Sequence, residues 1–360
     1  MEKWDTKPSF VRSDLPLIDV DIHNRVPSLG TLYPYLPDFW VEYCSTSGFG
    51  GPEMGDYPGG APTSALPDTK PEDGPPGSDL ELLREQTLDF WEADYGILNC
   101  AYWVQTVHNE YLAAALATAA NDWQVENWLD PEPRLRASVV VSSQNPLTAA
   151  QEIERMGDHP GFVQVLLPVR SLMPYGKRHY DPIFEAAVRH NLVVGIHYGG
   201  AAGIPPSPSG WFSTYLEEYA GAGQIFQAQV ISLVTEGTFD RYPDLRVALI
   251  EGGFTWLPSV MWRIDKEWRG LRHITPWIRR LPSDYMREHL RFTLQPMDAP
   301  PDPTQFLRMI GQLDSDDMLM FSTDYPHWQF DSPEEALPMG LPESLMKKIL
   351  AENAREFYQL

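Results

Sequence analysis

Along residues 15–24, LPLIDVDIHN, apolar and ionisable side chains alternate. In an extended strand this puts Ile18, Val20 and Ile22 on one face and Asp19, Asp21 and His23 on the other. Similar short, β-branched runs ending in polar or Gly/Pro-rich loops recur at 97–104, 136–142, 162–167, 192–197, 246–251, 291–295 and 318–324, which with 17–23 makes eight predicted strands. Helical spacing with few breakers fills 108–129, 145–156, 180–191 and 226–242 between them. Alternating strands and helices of this number predict an α/β fold, a parallel (β/α)8 barrel with its chemistry on the loops after the strands. Asp21 and His23 are then expected to point into the barrel, with Ile18, Val20 and Ile22 packed outward against the helices.

Residues 44–79 interrupt the rhythm with a stretch dense in Gly and Pro, expected to hold no regular helix or strand. They are read as an insertion after the first strand, either a surface loop or a lid over the barrel mouth. Residues 203–210 form a second Pro/Gly-containing rim loop. With no internal repeat in view, the 360 residues are expected to form one barrel domain.

Composition narrows the partners. An apolar content of 43% with 12% aromatics is globular. A formal charge of −23 and the lack of any Lys/Arg run argue against nucleic acid. Two cysteines, Cys44 and Cys100, are too few for a disulfide scaffold or a thiolate metal site, so a reducing cytoplasm is the expected setting. No window approaches the roughly 18–20 apolar residues of a membrane helix. A small molecule is the expected partner, and pairing of barrels into a homodimer is left open.

The candidate chemistry sits at strand ends. His23 closes the first predicted strand, His197 the fifth, Glu251 the sixth and Asp324 the eighth. Imidazole and carboxylate together suit one divalent ion, Zn, Mn or Fe, and a barrel gathers such scattered ligands. Any one of them alone reads equally as a satisfied buried histidine or a turn-capping aspartate. His327 is a donor to the ligands, a substrate contact or a surface residue, with Tyr325 and Trp328 suggesting an aromatic wall. Arg170 is a candidate for a substrate carboxylate or a salt-bridged residue. His108 and Gln105 face the mouth if the register of the second strand holds, and Gln295 is a substrate hydrogen bonder or a structural amide. Asp19 is a supporting hydrogen-bond partner. His159, His179, His190, His273 and His289 read as surface or packing residues, and Trp123, Trp128, Trp256, Trp262 and Trp268 as core.

Taken together, Asp19-Val-Asp21-Ile-His23, Gly195-Ile-His197, Leu249-Ile-Glu251-Gly252-Gly253 with Trp256-Leu-Pro258, and Phe321-Ser-Thr-Asp324-Tyr-Pro-His327 resemble the amidohydrolase-related family that includes aminocarboxymuconate-semialdehyde and dihydroxybenzoate decarboxylases. The resemblance spans nearly the whole chain outside 44–79 and implies a distorted TIM barrel with one divalent metal. It places the family's H-x-H pair on Asp21 and His23, its strand-five histidine on His197 and its strand-eight aspartate on Asp324. Two positions depart: the first histidine of the pair is Asp21, as in the E-x-H variant, and the strand-six acid/base histidine is Glu251. An oxygen-rich donor set of this kind shifts the expected ion from Zn toward Mn or Fe.

Two reactions use such a site. The first expectation is a metal-dependent hydrolase acting on a small cyclic or aromatic carbonyl or carboxylate compound, with Asp324 as general base and Glu251 as acid or ligand. The alternative is nonoxidative decarboxylation of an aromatic or muconate-like acid, Asp324 or Glu251 delivering the proton. A non-catalytic small-ligand binder is the third.

Overall fold

In the computed structural model of the chain, residues 7–11, 15–53, 65–200, 204–207, 209–298, 300, 302–327, 333–338 and 340–360 are described. Eight strands form one sheet in sequential order, every neighbouring pair parallel. They are β1 (Ile18–Ile22), β2 (Tyr95–Leu98), β3 (Leu135–Val140), β4 (Phe162–Arg170), β5 (Val193–Gly200), β6 (Val247–Ile250), β7 (Leu290–Thr293) and β8 (Leu319–Met320). The chain beyond β8 closes the circle against β1. Val20 N–H donates to Phe321 C=O (3.1 Å), Asp324 N–H to Asp21 C=O (3.0 Å) and His23 N–H to Tyr325 C=O (2.7 Å). The expected TIM barrel is therefore formed.

Helices lie between the strands where apolar periodicity and caps coincide. Asn109 caps Glu110–Gln124 by accepting from Tyr111 and Leu112 N–H, and Asn145 caps Pro146–Met156 by accepting from Thr148 N–H. The single helix expected over 226–242 is two, Gly223–Thr235 and Thr238–Arg241, because Gly237 adopts a left-handed φ of 71° between them. Leu257–Leu271, Pro282–His289 and Pro303–Leu313 complete the ring, each with proline in its first turn. Trp123 and Trp128 are core residues as expected, but Trp262 is 58% exposed on its helix. Among the described residues no helix is long and apolar enough to cross a membrane.

The barrel interior corrects one expectation. Ile18 and Val20 do not pack outward; they share an internal cluster with Ile97, Leu166, Val193, Ala248, Ile250 and Met320, plugged by Phe357 and Tyr358 of the C-terminal helix Asn353–Tyr358. A β-bulge lets Asp21 face inward beside them. Asp19 pairs with Gly96 and Ile22 with Leu98, so the β1 step of three residues opposes a β2 step of two. Strict alternation fails there: Val20 and Asp21 both face inward, and Ile22 alone joins the outer layer. The apolar lower half thus anchors the strand while its last residues are re-aimed into the site.

Two other boundaries moved. β2 ends at Leu98 rather than 104, since Asn99 turns its side chain into the barrel and Cys100–Trp103 leave the sheet to line a cavity. Cys44–Ser47, expected to be irregular, complete a helix Asp38–Ser47 that stops at Gly48 with φ 70°. The rest of the described insertion is fastened to the strand ends. Leu66 N–H donates to Pro326 C=O (2.9 Å) and Arg25 N–H to Gly77 C=O (2.8 Å).

Candidate metal centre and active site

Asp21 and His23 from β1, His197 from β5, and Glu251, Asp324 and His327 from the turns after β6 and β8 meet at the strand C-terminal ends. Their ligand atoms fall into two overlapping groups, Asp21–His23–His197–Glu251 and His23–Glu251–Asp324–His327, in each of which all atoms lie within 4.8 Å of one another. His23 Nδ1 donates to Asn99 C=O (2.9 Å), which leaves Nε2 with its lone pair 3.1 Å from Asp324 Oδ1 and 3.6 Å from Asp21 Oδ1. His197 repeats the pattern: Nδ1 donates to Tyr198 C=O (2.6 Å), and Nε2, 3.5 Å from Asp21 Oδ1, has no hydrogen-bond partner. Asp21 Oδ2 and Asp324 Oδ2 are likewise buried without partners. Four lone-pair atoms from three strands, each desolvated and unpartnered or facing only another acceptor, are donors of the kind that bind a cation.

The charges lead to the same conclusion. Asp21, Glu251 and Asp324 are buried, and the imidazoles of His23, His197 and His327 stand against them. Burial and the neighbouring Asp324 charge push the Glu251 carboxyl up to about 7. Burial also raises Asp324, against the pull of His327. Desolvation depresses His23 to about 4, whereas His197, although burial opposes its charge, is lifted to about 9 by Glu251 and Asp21. A divalent ion would take the place of that imidazolium proton and offset the carboxylates.

Both strand-end carboxylates after β6 and β8 sit in left-handed backbone, Glu251 at φ 59° and Asp324 at φ 57°. For residues with a Cβ this costs about 1–2 kcal/mol each. The conformation turns each side chain back over the barrel mouth instead of continuing the strand. Asp19 supports this end as expected: it accepts from Thr323 N–H (3.0 Å) and Thr323 Oγ1 (2.6 Å) and from Asp21 N–H (3.2 Å). His327 bridges the two carboxylates, its Nδ1 2.9 Å from Asp324 Oδ1 and 3.4 Å from Glu251 Oε1.

A cavity of about 370 Å³ opens above these residues, lined by His23, His197, Glu251 and His327 at its base and by Tyr102, Trp103, Tyr198, Tyr215 and Tyr219 on its sides. Its outer wall is built from the insertion: Gly50–Glu53 and Pro75–Pro76. The aromatic wall comes from the segment after β2, from β5 and from the helix Tyr215–Gly221 rather than from Tyr325, which is buried off the cavity, and Trp328 lies outside the described residues. Sequence reading missed these tyrosines, because nothing in their spacing separates a cavity wall from core packing.

Four residues expected at the mouth or on the substrate stand elsewhere. Arg170, His108 and Gln105 line a separate cavity of about 170 Å³, and Arg170 is 3.2 Å from Glu218 in a buried ion pair. The shorter β2 moved Gln105 and His108 sideways, and Glu218 of the helix Tyr215–Gly221 pairs with the arginine. Gln295 is fully buried, its Nε2 3.4 Å from Ala336 C=O, and lines neither cavity. Among the other histidines, His190 is held by Asp158 and Glu154, and His289 is buried against Phe239.

Comparison with known proteins places this geometry. A gamma-resorcylate decarboxylase of Polaromonas sp. (strain JS666 / ATCC BAA-500) is 26% identical over 320 residues, 79% of this chain and 92% of its own. The crystal structure of a dihydroxybenzoic acid decarboxylase from Polaromonas sp. JS666 with bound manganese and 2-nitroresorcinol superposes with a TM-score of 0.66 at 24% identity, covering 96% of this chain and 97% of that one. A 5-carboxyvanillate decarboxylase from Novosphingobium aromaticivorans, complexed with manganese and 4-hydroxy-3-methoxy-5-nitrobenzoic acid, gives 0.72 at 20% identity over 100% of both chains. Residues 18–360 match the amidohydrolase family, and the chain belongs to it.

Proposed function

We propose that this chain is a metal-dependent nonoxidative decarboxylase of a hydroxylated aromatic acid, with Asp21, His23, His197 and Asp324 holding one divalent ion, Mn, Zn or Fe. The observation that carries the reading is the set of desolvated, unpartnered ligand atoms at the base of a cavity walled by aromatic rings. The decarboxylase relatives favour this reaction over hydrolysis, the first expectation from sequence. When bound, the ion supplies a positive charge that anchors a carboxylate and an adjacent hydroxyl.

The chain's own groups do the rest. Replacement of a ring carboxylate by hydrogen needs one proton delivered to the carbon; the C–C bond then breaks, its electrons return to the ring, and CO2 leaves. Burial and the neighbouring Asp324 charge raise the Glu251 carboxyl to about 7 in the metal-free protein, so about half of it carries a proton at neutral pH where an exposed glutamate would be ionised. His327 touches both Glu251 and Asp324 and is 25% exposed, so it can return a proton from solvent after each turnover. Tyr102, Trp103 and Tyr219 exclude water from the ring face and orient it. Gly50–Glu53 and Pro75–Pro76 of the insertion complete the enclosure on its outer side.

The test is incubation of the Mn²⁺-loaded protein with hydroxybenzoic acids of varied substitution, and in parallel with lactones and amides, following CO2 release and hydrolysis products. CO2 release lost in Glu251→Gln, with metal retained, supports the assignment. Hydrolysis without CO2 release would restore the hydrolase reading.

A further inference from the structure

The cavity and its ligands occupy the upper end of the barrel, yet one ligand is tied to the opposite end. Asn99 Nδ2 donates to Asp21 Oδ1 (2.8 Å), the oxygen next to the unpartnered Oδ2. Asn99 Oδ1 in turn accepts from Gln164 Nε2 (2.9 Å) and from Ser138 Oγ (2.7 Å). Gln164 Oε1 accepts from the Tyr358 hydroxyl (2.8 Å). Asn99, Ser138 and Gln164 are fully buried and Tyr358 is 3% exposed. Tyr358 belongs to the C-terminal helix that packs on the beginnings of the strands, beside Ile18 and Val193.

The donor sense is uniform. Each amide donates toward the site and accepts from below, so the chain Tyr358 to Gln164 to Asn99 to Asp21 ends on a carboxylate. Reversing the Asn99 amide would set its oxygen 2.8 Å from a carboxylate oxygen, so the network fixes its orientation. A one-directional chain in a low-dielectric interior polarises each link and favours negative charge at its end. The backbone makes room for it: a Cβ on Gly195 would lie 2.5 Å from Gln164 Cδ. Asn99 also holds the second ligand of β1, since its carbonyl accepts from His23 Nδ1.

We propose that Asn99, Gln164 and Tyr358 are positioning residues for Asp21, so that the C-terminal helix at the closed end of the barrel sets the affinity of the site for its divalent ion. This rests on the assignment of Asp21 as a metal ligand made above. The relay fixes Oδ1 and leaves Oδ2 to the ion, which would otherwise have to order a freely rotating carboxylate.

The experiment is a titration of the chelator-treated protein with Mn²⁺, reading free Mn²⁺ by electron paramagnetic resonance, with the melting temperature of each metal-free protein recorded alongside. Asn99→Ala should weaken Mn²⁺ binding about 10–100-fold, the cost of losing an outer hydrogen bond to a ligand. Tyr358→Phe, which deletes one hydroxyl three hydrogen bonds from Asp21, should weaken it on the order of threefold, within the range of a single hydrogen bond. Phe357→Leu disturbs the same helix without touching the relay and should lower the melting temperature with wild-type Mn²⁺ affinity. Should Tyr358→Phe not fold, Gln164→Met interrupts the chain at its middle and decides. Wild-type affinity in Asn99→Ala and in the lower variants, or in Tyr358→Phe and Gln164→Met alone, overturns the relay. Failure of the wild type itself to bind Mn²⁺ overturns the metal reading instead.

Discussion

Gly77→Ala tests whether the insertion is a built part of the site. Gly77 has φ 78°, and an added Cβ would lie 2.6 Å from the His23 carbonyl oxygen and 3.5 Å from Pro326 Cγ. The His23 carbonyl, a backbone atom, cannot yield without moving the strand end that carries Asp21 and His23. Left-handed backbone costs alanine about 1–2 kcal/mol, and forcing a methyl into a filled space about 1–3 kcal/mol more. The sum, about 2–5 kcal/mol, can be relieved by lifting residues 75–77 off the strand end, breaking the Arg25 N–H to Gly77 C=O bond. At 1.4 kcal/mol per decade this raises the local opening equilibrium roughly 30- to several-thousand-fold, with a much smaller loss of global stability. Limited proteolysis with the cut sites mapped by mass spectrometry is the assay, because cleavage tracks the open population when reclosing is fast. Cleavage within 44–79 at the wild-type rate would refute the reasoning.

Other substitutions separate binding from structure. His23→Ala should release the metal, measured by elemental analysis, while the far-ultraviolet circular dichroism stays that of the wild type; loss of soluble protein would mark His23 as structural. Arg170→Met removes the positive charge facing buried Glu218 and should cost about 3–5 kcal/mol by denaturant unfolding, much of it recovered in Arg170→Met/Glu218→Met, with no change in KM. His289 is buried, stacks on Phe239 at 4.4 Å and donates from Nδ1 to Leu245 C=O; burial lowers its pKa, with Glu288 and Asp240 opposing and Arg280 reinforcing the shift. The unfolded chain therefore binds its proton first, so stability falls as pH drops below about 6.5, and the difference between wild type and His289→Phe should shrink over that window.

The barrel was legible because its signal is repeated: a parallel sheet buried on both faces must be apolar along whole strands, and eight such runs leave few alternatives. His23, His197, Glu251 and Asp324 drew notice for a related reason, since each was expected to close a strand, with Asp21 two residues before His23 and His327 three after Asp324. What the sequence hid is local. A bulge that sets Val20 and Asp21 on one side leaves no mark in an alternating string. Arg170 looks the same in sequence whether it faces a substrate or Glu218, and which it does depends on a helix 48 positions away. Asn99 carried no metal-ligand signature, yet it contacts Asp21 with its side chain and His23 with its backbone.

The most direct measurement is anomalous diffraction at the manganese edge from crystals grown with Mn²⁺. One peak within coordination distance of Asp21, His23, His197 and Asp324 is the result expected. No peak, or a peak held by Glu251 and His327 without Asp21 and His197, would contradict the ligand assignment on which the proposed chemistry stands.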